Sequence, residues 1–191
     1  MANIAIFLAN GFEDTEMVAT NDILNRAKKQ FPGSFDIIDI VSITKDNKVT
    51  GSYGTTVVAN KLIDEINFDA YDCLVLPGGG LGVENLEKSD KLLKALKDFK
   101  EKEKTIAAIC AAPQILGKLG LVDGVEVTHY PGCVEGLDKA IKKPQMAAIS
   151  DKNVITGSSI GGALQFALQI VDHFTSTEQM LDIYKSLVFN Y

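Results

Sequence analysis

The chain has 191 residues, of which 46% are hydrophobic and 23% charged, a composition typical of a globular protein. Its net charge of −6, with no Lys/Arg cluster free of interleaved acids, excludes the pattern of a phosphate-backbone binder, so we expect no nucleic-acid partner. The segment MANIAIFLAN has no basic leader and no segment approaches the ~20 apolar residues of a membrane span, so we expect a cytoplasmic chain without a membrane partner.

Apolar runs and helical segments alternate along the chain. Six runs predict β-strands: NIAIFLA (3–9), FDIIDIVSI (35–43), YDCLVLP (71–77), TIAAI (105–109), VEVTH (125–129) and NVIT (153–156). Segments of helical period lie between or after them, at 14–30, 83–103, 111–119, 161–174 and 177–190. This alternation predicts an α/β fold, a parallel sheet with helices on both faces, in one domain spanning residues 1–191. KVTGSYGTTVVAN (48–60) predicts a small β-hairpin excursion.

Cys110 stands where the apolar run TIAAI meets the helical segment AAPQILGKLG. In open sheets ligands bind beyond the carboxyl ends of the strands, and a sharp strand-to-helix turn presents nucleophiles there. A helix N-terminus would lower the pKa of the thiol below its usual ~8.5. The alternative is a small buried hydrophobe, and position alone leaves both interpretations open.

The other two cysteines carry less chemistry. Cys73 lies inside DCLVL, mid-strand, and is expected to be inert packing, whereas Cys133 lies in the loop YPGCVEG. An odd number of cysteines without a CxxC pair predicts no disulfide framework, and two histidines give poor support for a metal site.

Glu16 opens the first helical segment, with Glu13 and Asp14 beside it as competing first-turn acids. If Glu16 reaches Cys110, two anions in one cleft are unfavourable, and the carboxyl would stay protonated and donate a hydrogen bond to the thiolate. The run PGGG (77–80) is either a plain turn or an oxyanion hole formed with the N–H of Ala111. It is not a P-loop, because no Gly-Lys-Ser/Thr follows.

With these motifs the chain resembles the ThiJ/PfpI superfamily and, within it, the DJ-one-like branch. The resemblance rests on GFEDTEMV, YDCLVLPGGGLGVENL, IAAICAAP, THYP and QFALQIVD, in this order. It implies a flavodoxin-like fold, a homodimer and no cofactor. It also implies that Cys110 is an easily oxidised nucleophile, that Glu16 is its protonated partner, and that the N–H groups of Gly79 and Ala111 lie at the oxyanion position.

The chain departs from the family pattern near this site. Some relatives carry a His immediately before the Pro of THYP, whereas here Tyr130 has that place and His129 precedes it. Since side chains alternate along a strand, this offset is expected to turn His129 away from Cys110. Ser158 stands where relatives have Arg, and an Arg near the dimer interface is replaced around Tyr53. His129, Tyr130 and Ser158 remain candidate pocket residues.

Three functions follow from these residues and the resemblance. The leading one is a cysteine-dependent enzyme acting on small α-oxoaldehydes or their protein adducts, as a glutathione-independent glyoxalase or deglycase. The second is an oxidation-sensing stress-response protein or redox chaperone that uses oxidation of Cys110. The third is a cysteine peptidase, ranked last because Ala111, not a His, follows the nucleophile.

The terminal segment TEQMLDIYKSLVFNY places Met180, Ile183, Tyr184, Leu187 and Tyr191 on one helical face. We expect this face to pack on its own domain, with a share in a dimer interface as the alternative.

Overall fold

The computed structural model describes residues 1–189. Its strands are β1 Ala2–Leu8, β2 Phe35–Ser42, β3 Lys48–Thr50, β4 Thr56–Val58, β5 Lys61–Leu62, β6 Cys73–Leu76, β7 Thr105–Ile109, β8 Glu126–Val127, β9 Ile141–Lys142, β10 Ala148–Asp151 and β11 Val154–Gly157. Its α-helices are α1 Asp14–Gln30, α2 Gly80–Leu86, α3 Asp90–Glu101, α4 Pro113–Lys118, α5 Ala163–Phe174 and α6 Thr177–Ser186.

A seven-stranded sheet organises the chain, in the order β10-β11-β7-β6-β1-β2-β5. All its pairings are parallel except the one between β10 and β11 at one edge. The carboxyl ends of β1, β6, β7 and β11 therefore meet at the same edge of the sheet. Glu16, Gly79, Cys110 and Ser158 lie in the segments that follow these four strands.

Side chains of each central strand alternate between two hydrophobic clusters, one on each face of the sheet. On one face Ala5 and Phe7 of β1 pack in a cluster with Leu92, Leu96 and Ile115 from α3 and α4. On the other face the cluster includes the following side chains from β1, α1 and α5: Ile4, Ile6, Leu8, Ile23, Leu24, Phe166 and Ile170. Both faces are covered by helices, which confirms the fold predicted from the alternation of elements.

The predicted β-hairpin excursion is confirmed as a separate two-stranded antiparallel ladder of β3 and β4. In the terminal helix α6, Ile183 is buried, and Met180, Tyr184 and Leu187 pack against the cluster that contains α1 and α5. The expectation that this face packs on its own chain is therefore confirmed for these four side chains. Tyr191 lies outside the described residues.

Three predicted elements were wrong in extent. The terminal helix, predicted at 177–190, ends at Ser186. The helix predicted at 83–103 is two helices, because the backbone of Ser89 is extended and its hydroxyl caps α3 by accepting from the N–H of Leu92 at 3.4 Å. The strand predicted at 125–129 is only β8, which pairs with β9 outside the main sheet. The N–H of Thr128 is bound by the Thr156 hydroxyl at 2.9 Å instead of by a neighbouring strand.

None of the helices within residues 1–189 combines the length and the apolar character needed to cross a bilayer.

Candidate active site

Cys110 lies in a sharp turn between β7 and α4. Its backbone is in the left-handed region, with φ at 66°. The turn is fixed from two sides, because the N–H of Cys110 donates to the carbonyl of Gly157 at 2.9 Å and its carbonyl accepts from the N–H of Tyr130 at 2.8 Å. A non-glycine residue in this conformation is strained, and the surrounding hydrogen bonds hold it. The structure thus has the strand-to-helix elbow expected from the sequence.

Glu16 reaches this elbow from the first turn of α1. Its side chain is fully buried, and Oε2 accepts a hydrogen bond from the N–H of Gly78 at 2.8 Å. The carboxyl and the thiol of Cys110 also shift each other's pKa, and a Cβ placed on Gly78 would lie 2.7 Å from Oε2 of Glu16 and 3.1 Å from the sulfur. Oε1 has no hydrogen-bond partner within residues 1–189. The structure therefore brings together the cysteine and the carboxyl that sequence analysis paired.

Burial raises the pKa of Glu16 to about 7, and the charge of Glu13 adds to this rise. The hydrogen bonds with Gly78 and Cys110 oppose it, because they favour the carboxylate. At neutral pH a large fraction of molecules therefore carries a protonated Glu16. A protonated carboxyl here avoids placing two negative charges in one desolvated cleft when Cys110 ionises.

The thiol shows the opposite of the expected shift. Burial raises the pKa of Cys110 to about 12, and the charge and hydrogen bond of Glu16 add to the rise. The predicted lowering by a helix N-terminus was wrong, because desolvation and the neighbouring carboxylate outweigh the N–H groups at the turn. A neutral Glu16 no longer repels a negative charge on Cys110. The protonation of each group therefore depends on that of the other, and the two titrate as a coupled pair.

Two backbone N–H groups act on the thiol. Those of Gly79 and Ala111 lower the pKa of Cys110 and so favour its thiolate. Gly79 can aim its N–H in this direction because its φ is 91°, a conformation that suits glycine. Gly78 is equally constrained, since a Cβ there would lie 2.5 Å from Cβ of Cys110 and 2.7 Å from Oε2 of Glu16.

The three candidate pocket residues adjoin the elbow mainly through backbone. Nδ1 of His129 lies 2.9 Å from the carbonyl of Tyr130, to which it donates, and His129 is not among the groups that shift the pKa of Cys110. Tyr130 binds Cys110 through its N–H, while its side chain is 48% exposed. Ser158 directly follows Gly157, and its N–H donates to the carbonyl of Ala147 at 2.9 Å.

Within residues 1–189 the remaining cysteines are free thiols that form no hydrogen bond with Glu16 or Cys110. Cys73 is fully buried, and burial raises its pKa, as suits the packing role predicted for it. Cys133 is a free thiol of intermediate exposure. Across residues 1–189, no group of three or more His, Cys, Asp or Glu side chains could hold a metal ion.

Sequence reasoning missed the residues that support the site. Asp14 was considered only as a competitor of Glu16, yet its carboxylate binds the tip of the β3–β4 hairpin through the N–H groups of Tyr53 and Thr55. Gly51 in the hairpin is a weak sequence signal for this contact. In the structure a Cβ at this position would lie 2.3 Å from Oδ2 of Asp14, so a larger residue would collide with the carboxylate. No local pattern connects residues so far apart along the chain.

Comparison with known proteins identifies the family. The sequence model of the DJ-1/PfpI family matches residues 2–173. Protein DJ-1 homolog B of Arabidopsis thaliana is 34% identical over 96% of this chain and 40% of its own length. The chain thus spans less than half the length of the two plant relatives that it matches.

Two further relatives have names that state an activity. The glutathione-independent glyoxalase DJ-1 of Schizosaccharomyces pombe is 27% identical over 98% of each chain. A protein of Pyrococcus abyssi named a deglycase is 31% identical over 72% of this chain and 77% of its own.

Solved structures agree with this assignment. Oxidised DJ-1 of Toxoplasma gondii superposes with a TM-score of 0.88 at 28% identity, and DJ-1beta of Drosophila melanogaster with 0.89 at 27%, each over the full length of both chains. The flavodoxin-like fold implied by the resemblance is thereby confirmed. Matched in sequence over residues 2–173 and in structure over its whole length, the chain belongs to the DJ-1/PfpI family.

Proposed function

We propose that this protein is a cysteine-dependent enzyme acting on small α-oxoaldehydes or their protein adducts, as a glutathione-independent glyoxalase or deglycase. The observation that carries the proposal is the meeting of Cys110 with the buried carboxyl of Glu16: a Cβ on Gly78 would lie 2.5 Å from Cβ of Cys110 and 2.7 Å from Oε2 of Glu16. The N–H groups of Gly79 and Ala111 favour the thiolate of Cys110. The two relatives named for glyoxalase and deglycase activity support the reaction class.

The groups present suffice for the chemistry on methylglyoxal. Ionised Glu16 takes the proton of the Cys110 thiol, the sulfur attacks the aldehyde carbon, and as the C–S bond forms Glu16 passes that proton to the aldehyde oxygen, giving a hemithioacetal. The Glu16 carboxylate then removes the hydrogen on that carbon as a proton and returns it to the adjacent ketone carbon. The hydroxyl proton shifts to the second oxygen, leaving a lactate thioester on Cys110.

Hydrolysis completes the cycle. Water adds to the thioester carbon and the C–S bond breaks; one water proton goes to the sulfur of Cys110 and the other leaves as H⁺ with the ionised lactate, so Glu16 is again a carboxylate beside a thiol. The aldehyde carbon is oxidised as the ketone carbon is reduced, so no external oxidant or reductant is consumed. The N–H groups of Gly79 and Ala111, which favour the thiolate in the free protein, would also stabilise negative charge that develops on the oxygen beside it.

Lactate formation from methylglyoxal without glutathione tests the proposal. We expect no activity in Cys110→Ser, because the nucleophile is lost, and roughly 10²-fold lower kcat in Glu16→Gln, because the amide cannot transfer the proton. Cys133→Ser is the matched control and should keep wild-type activity, since this thiol lies in a loop and is not part of the pair. A wild type no faster than Cys110→Ser would overturn the enzyme proposal.

Oxidation sensing is the second candidate, favoured by the partial exposure of Cys110 beside hydrogen-bond donors. Sulfinate oxygens on Cys110 would accept from a protonated Glu16 and from the nearby N–H groups. This role would be favoured if the protein formed no lactate while Cys110 took up two oxygen atoms in dilute peroxide, measured by mass spectrometry.

The predicted homodimer and the cytoplasmic location stay predictions, and nothing at the elbow favours a peptidase.

A further inference from the structure

The buried carboxylate of Asp14, the first residue of α1, holds the β3–β4 hairpin against the loop between β1 and α1. Asp14 is 8% exposed, and its two oxygens accept from the N–H groups of Tyr53 at 3.0 Å and Thr55 at 2.8 Å. The carboxylate thus occupies a concave turn of N–H donors at the hairpin tip, an arrangement that suits an anion.

The same hairpin binds the backbone of the loop between β1 and α1. The N–H of Gly11 donates to the carbonyl of Thr50 at 2.8 Å, and that of Ser52 donates to the carbonyl of Phe12 at 2.8 Å. The hydroxyl of Ser52 donates to the carbonyl of Gly11 at 2.7 Å. With Asp14, these bonds clamp residues 11–14 onto the hairpin from one side.

The other side of this loop bears on the oxyanion donor. The N–H of Glu13 donates to the carbonyl of Gly78 at 2.9 Å, and the carbonyl of Gly11 accepts from the N–H of Gly82 at 3.0 Å. The fit around Gly79 is close, since a Cβ there would lie 2.3 Å from the carbonyl oxygen of Gly11. The loop therefore fixes the backbone on both sides of Gly79, whose N–H favours the thiolate of Cys110.

We propose that Asp14 is a positioning residue for the reaction: by binding the hairpin tip, it holds residues 11–13 in the place that aims the N–H of Gly79 at Cys110. Asp14 acts through two intervening layers of backbone and does not touch the reacting atoms. The effect on turnover rests on the proposed function, whereas the effect on the reactivity of the thiol does not.

The test compares wild type with Asp14→Asn, in which one oxygen becomes an amide that faces the N–H of Tyr53 as a second donor. Two assays are run at a temperature where every variant is folded. The first measures the rate of Cys110 alkylation by iodoacetamide at pH 8, and the second measures kcat and KM for methylglyoxal. We expect alkylation to slow about five-fold, as for one weakened hydrogen bond to the thiolate. We expect kcat to fall about ten-fold with KM nearly unchanged, because the donor acts on developing charge.

Ser52→Ala provides an independent variant at an exposed position. It removes only the hydroxyl that binds Gly11, so both rates should change in the same direction, by about two-fold. If Asp14→Asn does not fold, an unchanged alkylation rate in Ser52→Ala overturns the proposal.

Tyr71→Phe is the control for a purely structural effect. Its hydroxyl donates to Oδ2 of Asp39 at 2.6 Å, and Tyr71 precedes β6 at the end of the strand opposite the site. It should lower the thermal midpoint while leaving both rates as in wild type. If Asp14→Asn behaves like Tyr71→Phe, with lower stability and wild-type alkylation, Asp14 is structural and the proposal is wrong. Slower alkylation in a protein that forms no lactate from the start would support the positioning role and overturn the proposed function.

Discussion

At the scale of single residues, the closest packing in the site is at Gly78. A Cβ there would lie 2.5 Å from Cβ of Cys110, 2.7 Å from Oε2 of Glu16 and 3.1 Å from the sulfur, so the pair must separate to admit a methyl group. We expect Gly78→Ala to abolish lactate formation and to lower the free energy of unfolding by about 1–3 kcal/mol.

Gly80→Ala is the matched control, because a Cβ at Gly80 meets nothing within 4 Å. It should keep wild-type turnover and stability in the same assays. Equal losses in the two variants would mean that the glycine run needs backbone freedom in general, and that the space beside Cys110 is not what matters.

Single residues were also where sequence reasoning was most uneven. Cys110 and Glu16 could be paired from the sequence, because strand ends and the family motifs both point to them. The direction of the thiol pKa could not, because it depends on how much water the folded chain removes and on which carboxylate lies next to the sulfur. The role of Asp14 was invisible for a related reason: its partners at Tyr53 and Thr55 are brought to it only by the tertiary fold.

At the scale of elements, the break between α2 and α3 depends on a cap that hydrophobic periodicity does not show. The hydroxyl of Ser89 accepts from the N–H of Leu92, one of the free donors at the start of α3. We expect Ser89→Ala to lower the free energy of unfolding in urea by about 1 kcal/mol, and Ser89→Gly by only a few tenths. Indistinguishable losses in the two variants would show that the hydroxyl does not act as a cap.

Short strands were the elements that sequence missed. β5 has two residues and β10 four, and neither carries a long apolar run. The apolar run VEVTH (125–129) predicts a strand, yet it pairs with no strand of the main sheet. Its bonds go to the hydroxyl of Thr156 and to the short strand β9, contacts between distant parts of the chain that a local pattern does not encode.

At the scale of the whole molecule, Glu16 makes stability depend on pH. Its pKa of about 7 lies above the ordinary 4.5, so between these values the native chain binds more protons than the unfolded chain. The stability contributed by a neutral Glu16 is fully present below pH 4.5 and is lost as the pH rises through 7. The loss is on the order of 3 kcal/mol.

Urea unfolding of wild type and Glu16→Gln at pH 4.5 and pH 8 measures this contribution. Gln stays neutral at both pH values, so the wild type should lose about 3 kcal/mol more than the variant between them. Other titrating groups are common to both proteins and cancel in the comparison. If the two proteins lose the same free energy, Glu16 does not titrate with a raised pKa.

The global architecture was the most predictable level. Alternating strands and helices show in local hydrophobic period, and parallel strands with covered faces follow from that alternation. The order of strands in the sheet and the antiparallel edge did not follow, because pairing joins segments far apart along the chain.

Because the backbone of Cys110 is left-handed, the residue that provides the chemistry also lowers the stability of the fold. A residue with a Cβ is strained by about 1–3 kcal/mol in that conformation, whereas glycine adopts it freely. Selection for thermal stability alone would therefore favour glycine at position 110, and the nucleophilic sulfur would be lost. Engineering for higher stability should therefore leave Cys110 unchanged and substitute surface residues instead. The strained residue of the elbow is also the reactive one.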